Sequence, residues 1–85
     1  MEKKIEILFG KAVRRYREKL GVSQEAFADL AGIHRTYVSS IELGKVQVGI
    51  GIAQKLAETL GVPLSKIWRD LEREFGAGER ASSRD

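Results

Sequence analysis

Four hydrogen-bonding side chains fall on one short segment with a spacing that lets them share a single surface. They are Arg35, Thr36, Ser39 and Ser40. If the segment is helical, Val38 and Ile41 form an apolar stripe on its other side, which leaves the four polar side chains facing outward. A short helix with an apolar back and a hydrogen-bonding front is the shape that enters a DNA major groove and bonds to base edges there.

Two helices joined by a tight turn account for the whole stretch from Ser23 to Lys45. Ser23 can cap the first helix by accepting a backbone hydrogen bond, and Gly32 can end it in a left-handed conformation. The apolar stripe of this first helix consists of Phe27, Leu30 and Ala31. The second helix is predicted over residues 35–43, with Gly44 ending it.

Helical periodicity continues through the rest of the chain, without a convincing alternation typical of strands. The glycines that fall where helices would end are Gly21, Gly32, Gly44, Gly61 and Gly76. Pro63 favours the start of a last helix. The pattern predicts an all-α domain over residues 1–75, with helices at 4–20, 24–31, 35–43, 50–60 and 64–75. The small, polar residues 76–85 are predicted to form a disordered tail.

The first of these helices has apolar residues at three- and four-residue spacing: Ile5, Leu8, Phe9, Val13, Tyr16 and Leu20. Gly10 interrupts its middle and is expected to weaken it by roughly 1 kcal/mol relative to alanine. Arg17 differs from the other charged residues of this helix because it lies near the apolar stripe rather than opposite it.

The composition indicates one small intracellular domain with an anionic partner. The chain has 85 residues, 42% of them hydrophobic, which is enough for one compact core. Cysteine is absent, which excludes disulfides and thiolate metal sites, and the net charge of +3 favours an anionic partner. We expect no signal peptide and no membrane partner, since no apolar stretch approaches the roughly 20 residues of a membrane span.

Nothing in the sequence favours an enzyme, a metal site or a bound cofactor. His34 is the only histidine, and without carboxylate or cysteine companions it is a poor metal ligand and catalyst. The Gly49-x-Gly51 sequence lacks the preceding strand and the third glycine of a nucleotide-binding loop. A capping or DNA-facing role is the better interpretation of His34.

The stretch 23–45 resembles the helix-turn-helix of the phage lambda Cro/cI repressor family, also called the Xre family. The matching letters are Ser-Gln-Glu-x-Phe-Ala-x-x-Ala-Gly-Ile-x-Arg-x-Tyr-Val-Ser-x-Ile-Glu-x-Gly-Lys. The resemblance extends over roughly Leu8 to Leu71, and it implies a compact five-helix lambda-repressor-like fold. The form of residues 34–39 is also similar to that of restriction–modification controller proteins, which are short, stand-alone and dimeric.

The resemblance assigns roles to individual residues. It implies base contacts from His34, Arg35, Thr36, Ser39 and Ser40. It implies phosphate contacts from Ser23, Gln24, Tyr37, Lys45 and Gln47, although plain packing is an equal alternative for Tyr37. It implies a structural salt bridge between Arg17 and Glu42. The sequence departs from the family at Leu43, Val46 and Val48, which replace two basic residues and a proline, so this loop is expected to attract phosphates less strongly.

The last helix has an apolar face that is expected to be buried against another surface. It consists of Leu64, Ile67, Trp68, Leu71 and Phe75. This face can close the monomer core, or part of it can form a self-complementary dimer patch. We expect both, with Leu64 and Ile67 in the core. The expected dimer interface is Ile50, Ile52, Trp68, Leu71 and Phe75.

Together these patterns predict a cytoplasmic, nucleoid-associated regulator of transcription. As a homodimer it would place its recognition helix, residues 35–43, in the major groove of a palindromic double-stranded DNA operator, and either block or contact RNA polymerase. The alternative is a protein-interaction module, antitoxin-like or co-activator-like, that uses the aromatic face of the last helix.

Overall fold

The structure, a computed structural model, describes the backbone of residues 4–83 and the side chains of residues 4–74. Within that range the regular structure is entirely helical. The elements are α1 (Lys4–Leu20), α2 (Gln24–Ala31), α3 (Arg35–Glu42), α4 (Ile50–Leu60) and α5 (Leu64–Ser83). The predicted all-α, five-helix fold is therefore confirmed.

Helix α5 is longer than the sequence predicts. It does not end at Phe75 but continues through Gly76 and Gly78 to Ser83, where a disordered tail was expected. Each glycine costs a helix only about 1 kcal/mol, and the intervening alanine, glutamate and arginine residues are good helix formers. Glycine in this segment therefore lowers helix propensity without ending the helix. Residues 84–85 of the predicted tail lie outside the described residues.

The core lies among all five helices, and α3 packs on α1 and α2. Its buried members are Phe9, Ala12, Val13, Phe27, Ala28, Ala31, Val38, Ile41, Leu56, Ala57, Leu60, Ile67 and Leu71. Leu30, predicted to belong to the apolar stripe of α2, is instead 65% exposed. The buried face of α2 is centred on Phe27, Ala28 and Ala31, and Leu30 projects to one side of it.

Backbone meets backbone where α1 crosses the end of α3. A Cβ atom at Gly10 would lie 2.2 Å from the carbonyl oxygen of Ile41 and 2.8 Å from that of Glu42. Gly44 follows α3 with φ +72° and also lies against the backbone of α1. A Cβ atom at Gly44 would be 2.8 Å from the Cα of Ile7. The glycine that lowers the helix propensity of α1 is therefore the residue that lets α1 reach the end of α3.

A polar contact joins α1 to α5 on the other side of α1. The hydroxyl of Tyr16 donates a hydrogen bond to the carboxylate of Asp70, and the ammonium of Lys66 lies 5.8 Å from the centre of the Tyr16 ring. The hydrogen bond from Tyr16, together with the charges of Lys66, Arg73 and Arg15, lowers the pKa of Asp70, against the opposing effect of burial. Ionised Asp70 thus helps to hold α5 on α1.

Candidate nucleic-acid interface

Local signals in the sequence decide where α2 begins and ends and where α3 begins. The Oγ of Ser23 accepts a hydrogen bond of 3.0 Å from the backbone N–H of Ala26, and so caps α2. Gly32 ends α2 with φ 73°, and the N–H of Ile33 bonds back to the carbonyl of Ala28 at 3.0 Å. The chain is then extended at His34, and α3 begins at the next residue. Two short helices joined by a three-residue turn result.

Helix α3 has one buried side and one side that faces out. Val38, Ile41 and Glu42 are buried against α1 and α2. Arg35 and Thr36 are exposed at the first turn. An apolar back and an exposed polar front is the arrangement expected of a helix that enters a DNA groove.

The five residues expected to contact bases lie together at the start and along the middle of α3. His34, Arg35 and Thr36 are exposed, whereas Ser39 and Ser40 are half-buried. The side chain of His34 makes no capping hydrogen bond to any described residue of α3, so its capping alternative finds no support.

The residues expected to contact phosphates differ in their exposure to solvent. Ser23, Lys45 and Gln47 are exposed at the start of α2 and in the segment after α3. Tyr37 is half-buried with its ring packed against the core, as its alternative interpretation requires. Gln24 is half-buried, and its amide Nε2 donates a hydrogen bond of 3.0 Å to Glu42.

Arg17 and Glu42 form a buried ion pair at the end of α3. The Nε of Arg17 lies 2.6 Å from Oε2 of Glu42, and its second terminal nitrogen lies 3.1 Å from Oε1. The remaining terminal nitrogen donates to the carbonyl of Val22 at 2.8 Å. Hydrogen bonding to Glu42 raises the pKa of the Arg17 guanidinium above its ordinary value, although burial opposes the shift. The ion pair therefore joins α1 to α3.

The segment that follows α3 presents few charges. Leu43 is exposed, whereas Val46 and Val48, which stand at two positions where the resembled family carries a basic residue and a proline, are half-buried and pack against the core. In this segment Lys45 and Gln47 are the exposed polar residues that can approach a phosphate backbone.

A groove lies next to the segment that follows α3, between the start of α1, the start of α4 and α5. Its volume is about 780 Å³, and its lining includes Phe9, Val48, Ile50, Leu64 and Trp68. Ile50 is 83% exposed and Trp68 is 45% exposed, so the groove presents two large apolar side chains to solvent.

One residue expected at a dimer interface lies elsewhere. Leu71 is 3% exposed and belongs to the core, so that part of the prediction is wrong. Leu71 lies one helical turn after Ile67 and shares its buried side, whereas Trp68 is rotated about 100° away. Ile52 is half-buried, and the side chain of Phe75 lies outside the described residues.

Sequence patterns missed two contacts that shape this region. One is the hydrogen bond from Gln24 to Glu42, and the other is the bond from Arg17 to the carbonyl of Val22. Both partners of the first bond occur in the helix-turn-helix letters, but polar residues 18 positions apart carry no pairing signal. Among the side chains of residues 4–74, no three carboxylates or imidazoles cluster as a metal site would need. No helix in the described part of the chain is long and apolar enough to cross a bilayer.

Known proteins of several kinds match this chain. A family model described as "Helix-turn-helix" matches residues 13–67. Control protein C.MunI of Mycoplasma sp is 42% identical over 71 residues, which cover 82% of this chain and 96% of that protein. Control protein C.BamHI of Bacillus amyloliquefaciens is 41% identical over 63 residues, which cover 73% of this chain and 78% of that protein.

A solved structure matches as well. The crystal structure of the restriction-modification controller protein C.AhdI from Aeromonas hydrophila superposes with a TM-score of 0.70 at 34% identity. The match covers 72% of this chain and 92% of that chain. The fold is therefore that of a helix-turn-helix controller protein. The chain belongs to the helix-turn-helix family of the Cro/cI (Xre) type, a family of transcription regulators and not of enzymes.

Proposed function

We propose that this chain is a sequence-specific DNA-binding regulator of transcription that binds a palindromic operator as a homodimer. The observation that carries the proposal is the exposed pair Arg35 and Thr36 on the outward side of a helix whose other side is buried. Relatives named as control proteins and as helix-turn-helix transcriptional regulators support it.

Base recognition falls mainly to Arg35 and Thr36. A guanidinium can donate to both O6 and N7 of one guanine, and such a contact is worth about 1–3 kcal/mol of discrimination. The hydroxyl of Thr36 can bond to a base edge, and its methyl group can contact that of thymine. His34, Ser39 and Ser40 add contacts at the edges of this surface.

Phosphate contacts fix the recognition helix in the groove. Ser23, Lys45 and Gln47 lie exposed on either side of α3, and the N-terminal backbone N–H groups of α2 favour an anion. Tyr37 can add its hydroxyl at the margin. Cationic contacts to phosphates release counterions from the DNA, so affinity should fall as salt concentration rises.

A palindrome is read by two copies of the chain. We propose that the groove beside Trp68 is their dimer interface. Ile50 and Trp68 are its most exposed apolar members, with half-buried Ile52 nearby. A dimer of this kind reads half-sites roughly 34 Å apart, one turn of the DNA helix. Bound at a promoter in the nucleoid of the cytoplasm, such a dimer would exclude or contact RNA polymerase.

Selection of bound sequences from random double-stranded DNA tests base recognition. The wild-type chain should enrich a palindromic consensus. Arg35→Ala should lose roughly 5- to 150-fold of discrimination at one position of each half-site, as expected from the loss of one bidentate contact. Arg69→Ala, which removes the same charge from an exposed position of α5, is the control and should keep the consensus. Absence of any enrichment by the wild-type chain would refute the proposal and favour the protein-interaction alternative.

Sedimentation equilibrium tests the dimer. Ile50→Lys should shift the chain to monomer, because it places a charge on the groove surface. Leu30→Lys makes the same substitution at an exposed leucine of α2, away from the groove, and should leave a dimer. A monomeric wild-type chain on operator DNA, or a dimer that survives Ile50→Lys, would contradict the assignment.

A further inference from the structure

Leu43 is a large apolar side chain that lies exposed at the end of the recognition helix. It is 58% exposed, and it directly follows Glu42, the last residue of α3. Its backbone is still helical, with φ −85° and ψ −4°, and its N–H bonds to the carbonyl of Ser39 at 3.0 Å. The direction of the Leu43 side chain therefore follows the angular spacing of α3, about 100° per residue.

This spacing puts Leu43 on the outward side of α3. Seven residues separate it from Thr36, which is nearly two full turns, so the two side chains differ by only about 20° around the helix axis. Ser40 lies between them, one turn after Thr36. Leu43 stands about 10 Å further along the axis than Thr36, which is the length of roughly three base-pair steps. A row of side chains that begins with the hydroxyl of Thr36 thus ends with an apolar group.

The backbone next to Leu43 is fixed, and it keeps this side chain on the surface. The N–H of Gly44 bonds to the carbonyl of Ile41 at 3.0 Å, and buried Gly44 lies against the backbone of Ile7 in the first turn of α1. Ile7 is itself 42% exposed, so two apolar side chains flank Gly44 at the surface. Val46 turns inward and packs against the core, whereas Leu43 does not.

The DNA major groove contains apolar groups that a side chain at this place can contact. Thymine presents its C5-methyl group in the groove, and the deoxyribose rings lie along its edges. Contact with either group removes apolar surface of Leu43 from water, and each methyl-sized group buried changes affinity by about fourfold. Leucine carries no charge and releases no counterion, so this contribution is independent of salt.

We propose that Leu43 packs against apolar groups of the operator, either a thymine methyl group or the adjoining deoxyribose. The inference rests on the proposed function and extends the surface by which one subunit contacts its half-site. Arg35 and Thr36 bond to base edges at the start of α3, and Leu43 makes an apolar contact roughly three base pairs beyond them. The contact supplies affinity that salt does not screen.

The salt dependence of operator binding tests the contact. Leu43→Ala should weaken binding by about fourfold or more for each subunit, with an unchanged slope of log affinity against log salt concentration. Leu43→Lys should steepen this slope by about 0.9 for each subunit, because the new ammonium reaches a phosphate. Leu30→Ala is the matched control, since it truncates an exposed leucine of α2, and it should change neither quantity.

Deoxyuridine in place of each thymidine of the operator identifies the group that Leu43 contacts, because the two nucleosides differ only by the methyl group. If Leu43 packs against a methyl group, one such exchange in each half-site should weaken binding of the wild-type chain by about fourfold and leave Leu43→Ala unaffected. If every exchange affects both chains equally while Leu43→Ala still binds more weakly, the contact is with deoxyribose.

Equal operator affinity of Leu43→Ala and the wild-type chain would overturn the inference. A loss that appears only when two dimers bind side by side on a longer duplex would overturn it too, because Leu43 would then contact protein and not DNA. If the wild-type chain binds the selected operator no better than a scrambled duplex of equal length, the proposed function itself fails, and the inference with it.

Discussion

Replacing Gly10 by alanine separates helix propensity from helix packing. In an isolated helix the change stabilises by about 1 kcal/mol. In this chain the new Cβ would stand 2.2 Å from the carbonyl oxygen of Ile41, about 1 Å closer than an ordinary contact between carbon and oxygen. Since the obstructing atom belongs to backbone, no side-chain rotation relieves the contact and α1 must move away from α3.

Overpacking of this kind costs about 1–3 kcal/mol and occasionally more. A 2.2 Å approach to a backbone atom belongs at the upper end of that range, about 2–3 kcal/mol, so after the gain in propensity the net loss should be about 1–2 kcal/mol. For a domain of this size each kcal/mol corresponds to roughly 4–8 °C of Tm, so Gly10→Ala should lower Tm by roughly 10 °C. Displacement of α1 also disturbs the ion pair between Arg17 and Glu42, which lies beside the contact.

Urea and thermal unfolding monitored by circular dichroism measure this effect, with Gly51→Ala as the control. Gly51 lies in the first turn of α4, and an added Cβ there would meet no atom of the described structure within 4 Å. Alanine at that position should therefore raise stability by about 0.4–1 kcal/mol. If Gly10→Ala stabilises the chain as Gly51→Ala does, the close approach of α1 and α3 is not a real constraint.

Substitutions at three further positions test other contacts. Glu42→Ala should destabilise by about 3–5 kcal/mol in urea unfolding, because it leaves the Arg17 charge buried without a partner, and a Tm equal to wild type would contradict this structural role. Asp70→Asn should flatten the loss of stability on acidification. The pKa of Asp70 is lowered in the folded chain, so its contribution to the free energy of unfolding is present above its ordinary pKa and is lost as pH falls below about 4. If the urea midpoint falls by the same amount in variant and wild type between pH 6 and pH 2, Asp70 makes no such contribution. Ser23→Ala should lose about 1 kcal/mol by removing the cap of α2, and Ser23→Thr, which retains the hydroxyl, should restore most of it.

The helix-turn-helix was the most predictable part of the fold because its signals are local. Ser23 caps α2 through a bond to an N–H three residues away, and Gly32 ends α2 through bonds within the same turn. Such interactions depend on residues that are neighbours in sequence. Periodicity then separates the buried Val38 and Ile41 from the exposed Arg35 without any knowledge of the rest of the chain.

The features that the sequence did not predict depend on distant partners. Spacing within α5 groups Leu71 with Ile67, but which part of this apolar face meets α1 and α4 depends on how the helices pack together. The approach at Gly10 likewise depends on a carbonyl more than 30 positions away in the chain. Helix propensity alone predicts that Gly10 destabilises α1. Packing explains why a residue without a side chain is needed there.

The separation of the two sides of α3 bears on how a chain of this kind acquires a new DNA target. The residues that hold the helix in place, Val38, Ile41 and Glu42, are not those that face outward from its first turn, Arg35 and Thr36. Exchanges at exposed positions usually change stability by no more than about 0.5 kcal/mol. The outward positions can therefore vary almost freely while the scaffold stays folded. Replacing the outward residues of α3 by those of another regulator should give this domain the operator preference of that regulator. The same freedom allows two related regulators in one cell to diverge until neither binds the other's operator.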